Sequence, residues 1–364
     1  MNAAPMMSAR EMRAPAFALC AGIVALVTLV RLIGLHTSVV DLYFDESQYW
    51  SWSQSPAFGY FSKPPLIAWV IAAAERACGS GEACIRAPSP IFYFGTSLLV
   101  YALANKLYGR RVAFWAALTF VFTTGVDFSA RIISTDVPLL FFWTLALFAY
   151  VKLLQEADLR WGIVLGLALG FGLLAKYMMG FFVLSAVIAA FFDRAARDFL
   201  KTPAFFAALA IGILMIIPNL VWNIDNGFAT FRHTGDNIRG SGAVFSPLEG
   251  ITFLGSQFAV FGPITFGFLI AIMLRPGKFA LVREDRLMLA FSVPVLAIVT
   301  ALSFITRAHA NWAATTVITG IVVVVAVLVR LEAWRWLKLG LGLGILVQGL
   351  LLVGDHFADR LSIP

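Results

Sequence analysis

Long apolar stretches alternate with short polar ones from one end of the chain to the other, and many are as long as a bilayer core is thick. Runs such as Ala16 to Leu35 and Ile251 to Leu274 match the ~20 residues a helix needs to cross the hydrocarbon. They do not alternate apolar with polar residues, as the strands of a membrane barrel do. The pattern places eleven spans at 16–35, 88–108, 112–126, 136–153, 161–175, 177–192, 203–222, 250–274, 287–305, 313–330 and 336–354. The fold class expected is therefore an all-α polytopic membrane protein. Between the first two spans, Pro65 to Ala77 is interrupted by Glu75 and Arg76, too early for a span, and suits a helix lying at the interface. The stretch Trp161 to Phe192 is too long for one helix and divides at Lys176-Tyr177.

Composition agrees. Of 364 residues, 60% are apolar and 13% charged, which leaves no room for the surface of a soluble domain. A cytosolic enzyme, a secreted disulfide scaffold and a nucleic-acid-binding partner role are excluded on the same ground. The net charge of +7 sorts by side: with a cytoplasmic N-terminus, the inner loops hold 17 Lys and Arg against 8 acidic residues, and the outer loops 9 against 12. That is the asymmetry expected from the positive-inside rule for a chain with an inward N-terminus and an outward C-terminus. Met1 to Pro15, with Arg10 and Arg13, is like the n-region of a signal peptide, but no cleavage site follows, so the first span reads as a retained anchor. The chain then forms one transmembrane unit over 1–364, with external loops at 36–87 and 223–249.

The residues able to do chemistry collect on the outer face, where ionisable groups at span ends are costly unless paired or functional. Loop one contains Asp45-Glu46, then Tyr49, Trp50 and Trp52, and further on Lys63-Pro64-Pro65. The first part suggests a short amphipathic helix with its acidic residues at the N-terminus, serving either as an interfacial anchor or to present Asp45 as a general base. Lys63, followed by two prolines that fix the backbone, is placed to meet a phosphate oxygen. Arg131 and Asp136 are spaced for an ion pair that closes the second external turn, as a structural device or in a catalytic role, with Asp127 beside them. Lys176 sits among Leu173, Leu174, Tyr177 and Met178, where a lysine snorkels or functions. Arg307, His309 and Asn311 form a group suited to an anion. His233 stands in a loop with Gly235, Gly240 and Gly242, either a lid or an ordinary loop. Four histidines show no ligand spacing, so no metal and no cofactor is expected. Cys78 and Cys84 face one another across a short Gly-Ser-Gly loop, which leaves a disulfide open.

In this order the motifs resemble the GT-C glycosyltransferases that use polyprenyl-phosphate sugars, the group of protein O-mannosyltransferases, lipid A aminoarabinose transferases and rhizobial lipopolysaccharide-core galacturonosyltransferases. The matching residues are Asp45-Glu46 with Tyr49, Lys63-Pro64-Pro65, Arg131 to Pro138, Lys176-Tyr177, and Arg307 to Trp312; the last is most similar to the galacturonosyltransferase branch. Gln48 and Ser62 depart from the aminoarabinose branch. The resemblance implies a GT-C bundle and an inverting, metal-independent transfer of one sugar from a polyprenyl-phosphate donor to a lipid or glycan acceptor. It implies Asp45 and Glu46 as catalytic residues, with Lys63, Lys176, Arg307 and His309 on the donor phosphate. Tyr49, Arg131, Asp136, Tyr177 and Asn311 would position substrates. Relatives usually continue into an external C-terminal domain, expected here to be absent or truncated. A transporter of lipid-linked sugars is the rival class, but it would place its polar groups near mid-membrane.

Overall fold

The computed structural model describes residues 17–239 and 245–360. Met1 to Pro15, Gly240 and Gly242 lie outside them. All regular structure among the described residues is helical, and each of the eleven apolar segments forms helix. Six helices are long and apolar enough to cross a membrane by themselves: Phe17–Thr37, Glu82–Tyr108, Asp136–Leu153, Pro203–Asp225, Arg283–Ser303 and Trp334–His356. Leu159–Ala175, Tyr177–Phe192 and Thr316–Arg330 are shorter apolar helices. The division at Lys176 is real, with an extended backbone at that residue (φ −162°) between two helical turns.

Two expected spans are broken. The run 250–274 is two helices, Pro247–Phe261 and Pro263–Leu274, bent by 120°. The reason is local: Gly262 adopts φ +81°, a conformation that favours glycine, and Pro263 has no N–H with which to continue the helix. The segment 112–126 likewise divides into Arg110–Val121 and Thr124–Ser129.

Hydropathy does not distinguish helices facing lipid from helices facing protein, and burial does. Every residue from Thr316 to Leu328 is buried, so this helix is the centre of the bundle, as expected of a helix apolar all round. Pro203–Asp225 and Trp334–His356 are mostly open to the surroundings. Glycines set one close contact: a Cβ on Gly162 would lie 2.6 Å from the Ala204 carbonyl and one on Gly166 2.8 Å from that of Ala208. The helices Leu159–Ala175 and Pro203–Asp225 therefore meet backbone to backbone.

One end of the bundle is tied by Arg283 to Asp193 at 2.6 Å and Arg330 to Asp285 at 2.9 Å. At the other, segment 36–87 folds over the helix ends as the short helices Phe44–Ser53 and Leu66–Cys78, followed by the opening turn of Glu82–Tyr108. Every candidate residue of the sequence gathers at this second end.

Candidate active site

Asp45 and Glu46 occupy the first turn of Phe44–Ser53, and the helix sends them in different directions. Glu46 is buried: it accepts from Arg86 Nε at 3.0 Å and Nη2 at 2.7 Å, from the Ile133 amide at 2.8 Å and from the Tyr43 amide at 3.0 Å. With four donors on one carboxylate, Glu46 fastens the helix to its surroundings rather than offering a free base. Asp45 is exposed and accepts from the Tyr49 hydroxyl, one turn on, at 3.4 Å. Burial first, and then the charge of Asp45, hold the Tyr49 phenol protonated well above its ordinary range, so it stays a donor to this carboxylate.

Two cavities meet here. The larger, about 580 Å³, is lined by Asp45, Glu46, Tyr93, Asp136, His309 and Asn311, with Tyr43, Phe44 and Phe128 among its apolar walls. The smaller, about 460 Å³, is lined by Lys63, Lys176, Tyr177 and Thr234 together with Met178, Phe181, Val299, Leu302 and Trp312. The first is rich in carboxylate; the second pairs two lysines with an apolar wall. Between them stands the Asp136 carboxylate, which accepts from Lys176 Nζ at 2.7 Å through one oxygen and from Asn311 Nδ2 at 2.6 Å through the other. Lys63 is half-buried. Burial first, then the charge of Lys176, lower its affinity for a proton, and Asp45 and Asp136 oppose that. These four groups thus share one electrostatic site across the two cavities.

The sequence expectations sort as follows. Arg131 does not pair with Asp136: it makes its ion pair with Asp355 at the end of the Trp334–His356 helix, because Lys176 and Asn311 already take both Asp136 oxygens. His309 lines the Asp45 cavity rather than the lysine cavity, and Arg307 is exposed and lines neither. Tyr177 donates to Asn219 Oδ1 at 2.8 Å. Cys78 and Cys84 are bonded, with Cα atoms 5.9 Å apart. Two participants escaped the sequence reading: Arg86, which clamps Glu46, and Asn219, which is fully buried, as is Asn223 one turn on, a polar group visible on the outer face. Asn219 supports loop one through the Phe58 carbonyl at 2.7 Å. The signal was present, since two amides four residues apart in an otherwise apolar span are costly unless they are used. Helix Ala229–Arg239 leans on the same group, Thr230 donating to the Tyr60 carbonyl at 2.6 Å and Phe231 stacking on Tyr177 at 4.9 Å.

Comparison with known proteins agrees with this geometry. A family model described as dolichyl-phosphate-mannose-protein mannosyltransferase matches residues 62–222. The lipid A galacturonosyltransferase RgtD of Rhizobium johnstonii is 34% identical over 297 residues, 81% of this chain and 62% of that protein. The lipopolysaccharide core galacturonosyltransferase RgtB of the same organism is 28% identical over 298 residues, 78% of this chain and 59% of that one. The chain thus spans about three fifths of the length of these curated relatives. Among solved structures, ArnT from Cupriavidus metallidurans bound to undecaprenyl phosphate superposes with a TM-score of 0.69 at 15% identity, over 90% of this chain and 64% of that one. The chain thus shares the fold of that ArnT structure over most of its length and is similar in sequence to the two galacturonosyltransferases.

Proposed function

We propose that the protein transfers one sugar from a polyprenyl-phosphate donor to a lipid, lipopolysaccharide or other envelope acceptor, on the periplasmic face of the bacterial inner membrane. The observation that carries this is the pairing of an apolar-walled cavity holding Lys63 and Lys176 with a cavity holding an exposed Asp45. A polyprenyl phosphate fits the first by its chemistry, anionic head on the lysines and isoprene units along Met178, Phe181, Val299 and Leu302. The acceptor hydroxyl enters the second. Asp45 takes its proton, the oxygen attacks the anomeric carbon from the side opposite the phosphate, and the bond from that carbon to the phosphate oxygen breaks with inversion. The leaving phosphate gains negative charge, which Lys63 and Lys176 meet in a partly desolvated site. Two fixed cations supply the charge that a metal otherwise would. The names of the curated relatives support galacturonic acid as the sugar. The charge split of the loops supports the periplasmic side.

Mass spectrometry of envelope glycolipids from cells with and without the gene tests this. The expected difference is the mass of one sugar residue on one glycolipid, restored by the wild-type gene and not by Asp45→Asn. Identical glycolipids in the two strains would overturn it.

A further inference from the structure

The exposed Asp45 takes a hydrogen bond from Tyr49 of its own helix, so its place depends on what holds that helix. Next to it, Glu46 is tied to Arg86, whose buried guanidinium donates from each of its three nitrogens. Besides the two bonds to Glu46, Arg86 donates to the Val40 carbonyl and the Asp41 carbonyl, both at 2.8 Å. It therefore grips loop one on both sides of the start of Phe44–Ser53. Arg86 itself lies in the opening turn of the long helix Glu82–Tyr108, ahead of Pro88. Pro88 has no N–H with which to tie that turn to the rest of the helix, so the turn gains from an anchor. Two residues before Arg86, Cys84 supplies one, through its bond to Cys78 at the end of the longer helix Leu66–Cys78. Covalent and polar links thus run from Cys78 to Cys84, Arg86, Glu46 and Asp45.

We infer that Arg86 is a positioning residue for Asp45, and that the Cys78–Cys84 disulfide keeps Arg86 in place, so that turnover depends on the oxidised pair. Reduction adds two electrons and two protons from an external thiol or phosphine and returns two thiols. The opening turn of Glu82–Tyr108 then loses its anchor, and Arg86 and Glu46 loosen together. The Lys63 and Lys176 cavity takes no lining residue from Phe44–Ser53 or from the turn that holds Arg86, so donor binding is left in place while the base is displaced. The chemical step slows and the donor constant does not move.

This inference rests on the glycosyltransferase reading of the site, and its test has one arm that does not. Hydrogen exchange of residues 44–53 is measured on the folded wild type before and after reduction with a phosphine, and on Arg86→Gln. Faster exchange is expected in both altered forms; unchanged exchange would overturn the inference whatever the activity. In the kinetic arm, reduction lowers kcat at least three-fold in the wild type at constant donor KM, and less than two-fold in Arg86→Gln, because the link is already cut. Equal falls in the two backgrounds would show that disulfide and arginine act separately, and overturn it. Where Arg86→Gln does not fold, Glu46→Gln takes its place in the same cycle, since it cuts the link at the next contact. A wild type inactive with every donor would sink the proposed function and leave the exchange arm to decide this one.

Discussion

Lys176 Nζ lies 2.7 Å from Asp136 Oδ1, on the boundary between the two cavities. The lysine that faces one cavity is therefore balanced by a carboxylate that faces the other, and under the proposed function an arriving phosphate must share it. Releasing the lysine with Asp136→Asn is expected to tighten binding of polyprenyl phosphate and slow turnover. Removing it with Lys176→Met should weaken binding about ten-fold or more, since hydrogen bonds to charged groups contribute about 1.5–3 kcal/mol each. Equilibrium binding of polyprenyl phosphate to the two variants checks this. If neither affinity moves, Lys176 is only the partner of Asp136.

Lys63 carries a pH signature. A lysine with lowered proton affinity is charged below its own pKa and neutral above it, so phosphate affinity should be full at low pH and fall as pH rises. That fall should begin below the ordinary lysine value of about 10.4. The charges facing it are Lys176, Asp45, Asp136 and, from helix Ala229–Arg239, His233. Lys63→Arg should move the fall beyond the measurable range, because a guanidinium stays charged. A pH profile of donor binding unchanged by that substitution would remove Lys63 from the phosphate.

The base makes a different split. Asp45→Asn should lower kcat by about 10² to 10⁴ and leave donor affinity near the wild-type value. Tyr49→Phe removes one neutral donor, worth about 0.5–1.5 kcal/mol, and should slow turnover about ten-fold at most. Steady-state kinetics with purified enzyme decide between these; near-normal turnover by Asp45→Asn would end the assignment.

Metal removal should leave turnover unchanged. Activity lost in EDTA and restored by one divalent ion would mean that Lys63 and Lys176 do not carry the phosphate charge alone.

Much of this was legible in the chain because membrane helices announce themselves by length and apolarity, and because unpaired charge at a span end is expensive. Asp45, Lys63, Asp136, Lys176, His309 and Asn311 were all visible as polar groups on one face, and they do line the two cavities. Pairing was not legible. Arg131 and Asp136 are close in sequence, but Asp136 is claimed by Lys176 and Asn311 from elsewhere in the bundle, and Arg131 by Asp355. Helix packing makes those choices, and spacing along one segment carries no trace of them. The break at Gly262-Pro263 was different: the dipeptide is a turn signal, overridden in a reading that weighed only hydropathy.

A last pair lies within the apolar part of the bundle and away from the lysines. Arg31 Nη2 meets Asp127 Oδ1 at 2.6 Å, both side chains almost wholly buried, and Arg31 Nε reaches Gln348 at 3.0 Å. The group pins Phe17–Thr37 to Thr124–Ser129 and to the last long helix, and Thr124–Ser129 forms part of the Asp45 cavity wall through Val126, Phe128 and Ser129. Removing one partner leaves a buried charge uncompensated, which typically costs about 3–5 kcal/mol, whereas replacing both by apolar residues is often neutral. Arg31→Met alone should therefore unfold at a markedly lower temperature in detergent, and Arg31→Met with Asp127→Leu should recover most of the loss. Thermal unfolding of the singles and the double gives the coupling directly. Losses that simply add would show that the two charges stabilise the bundle independently, and the pin between these helices would have to be sought elsewhere.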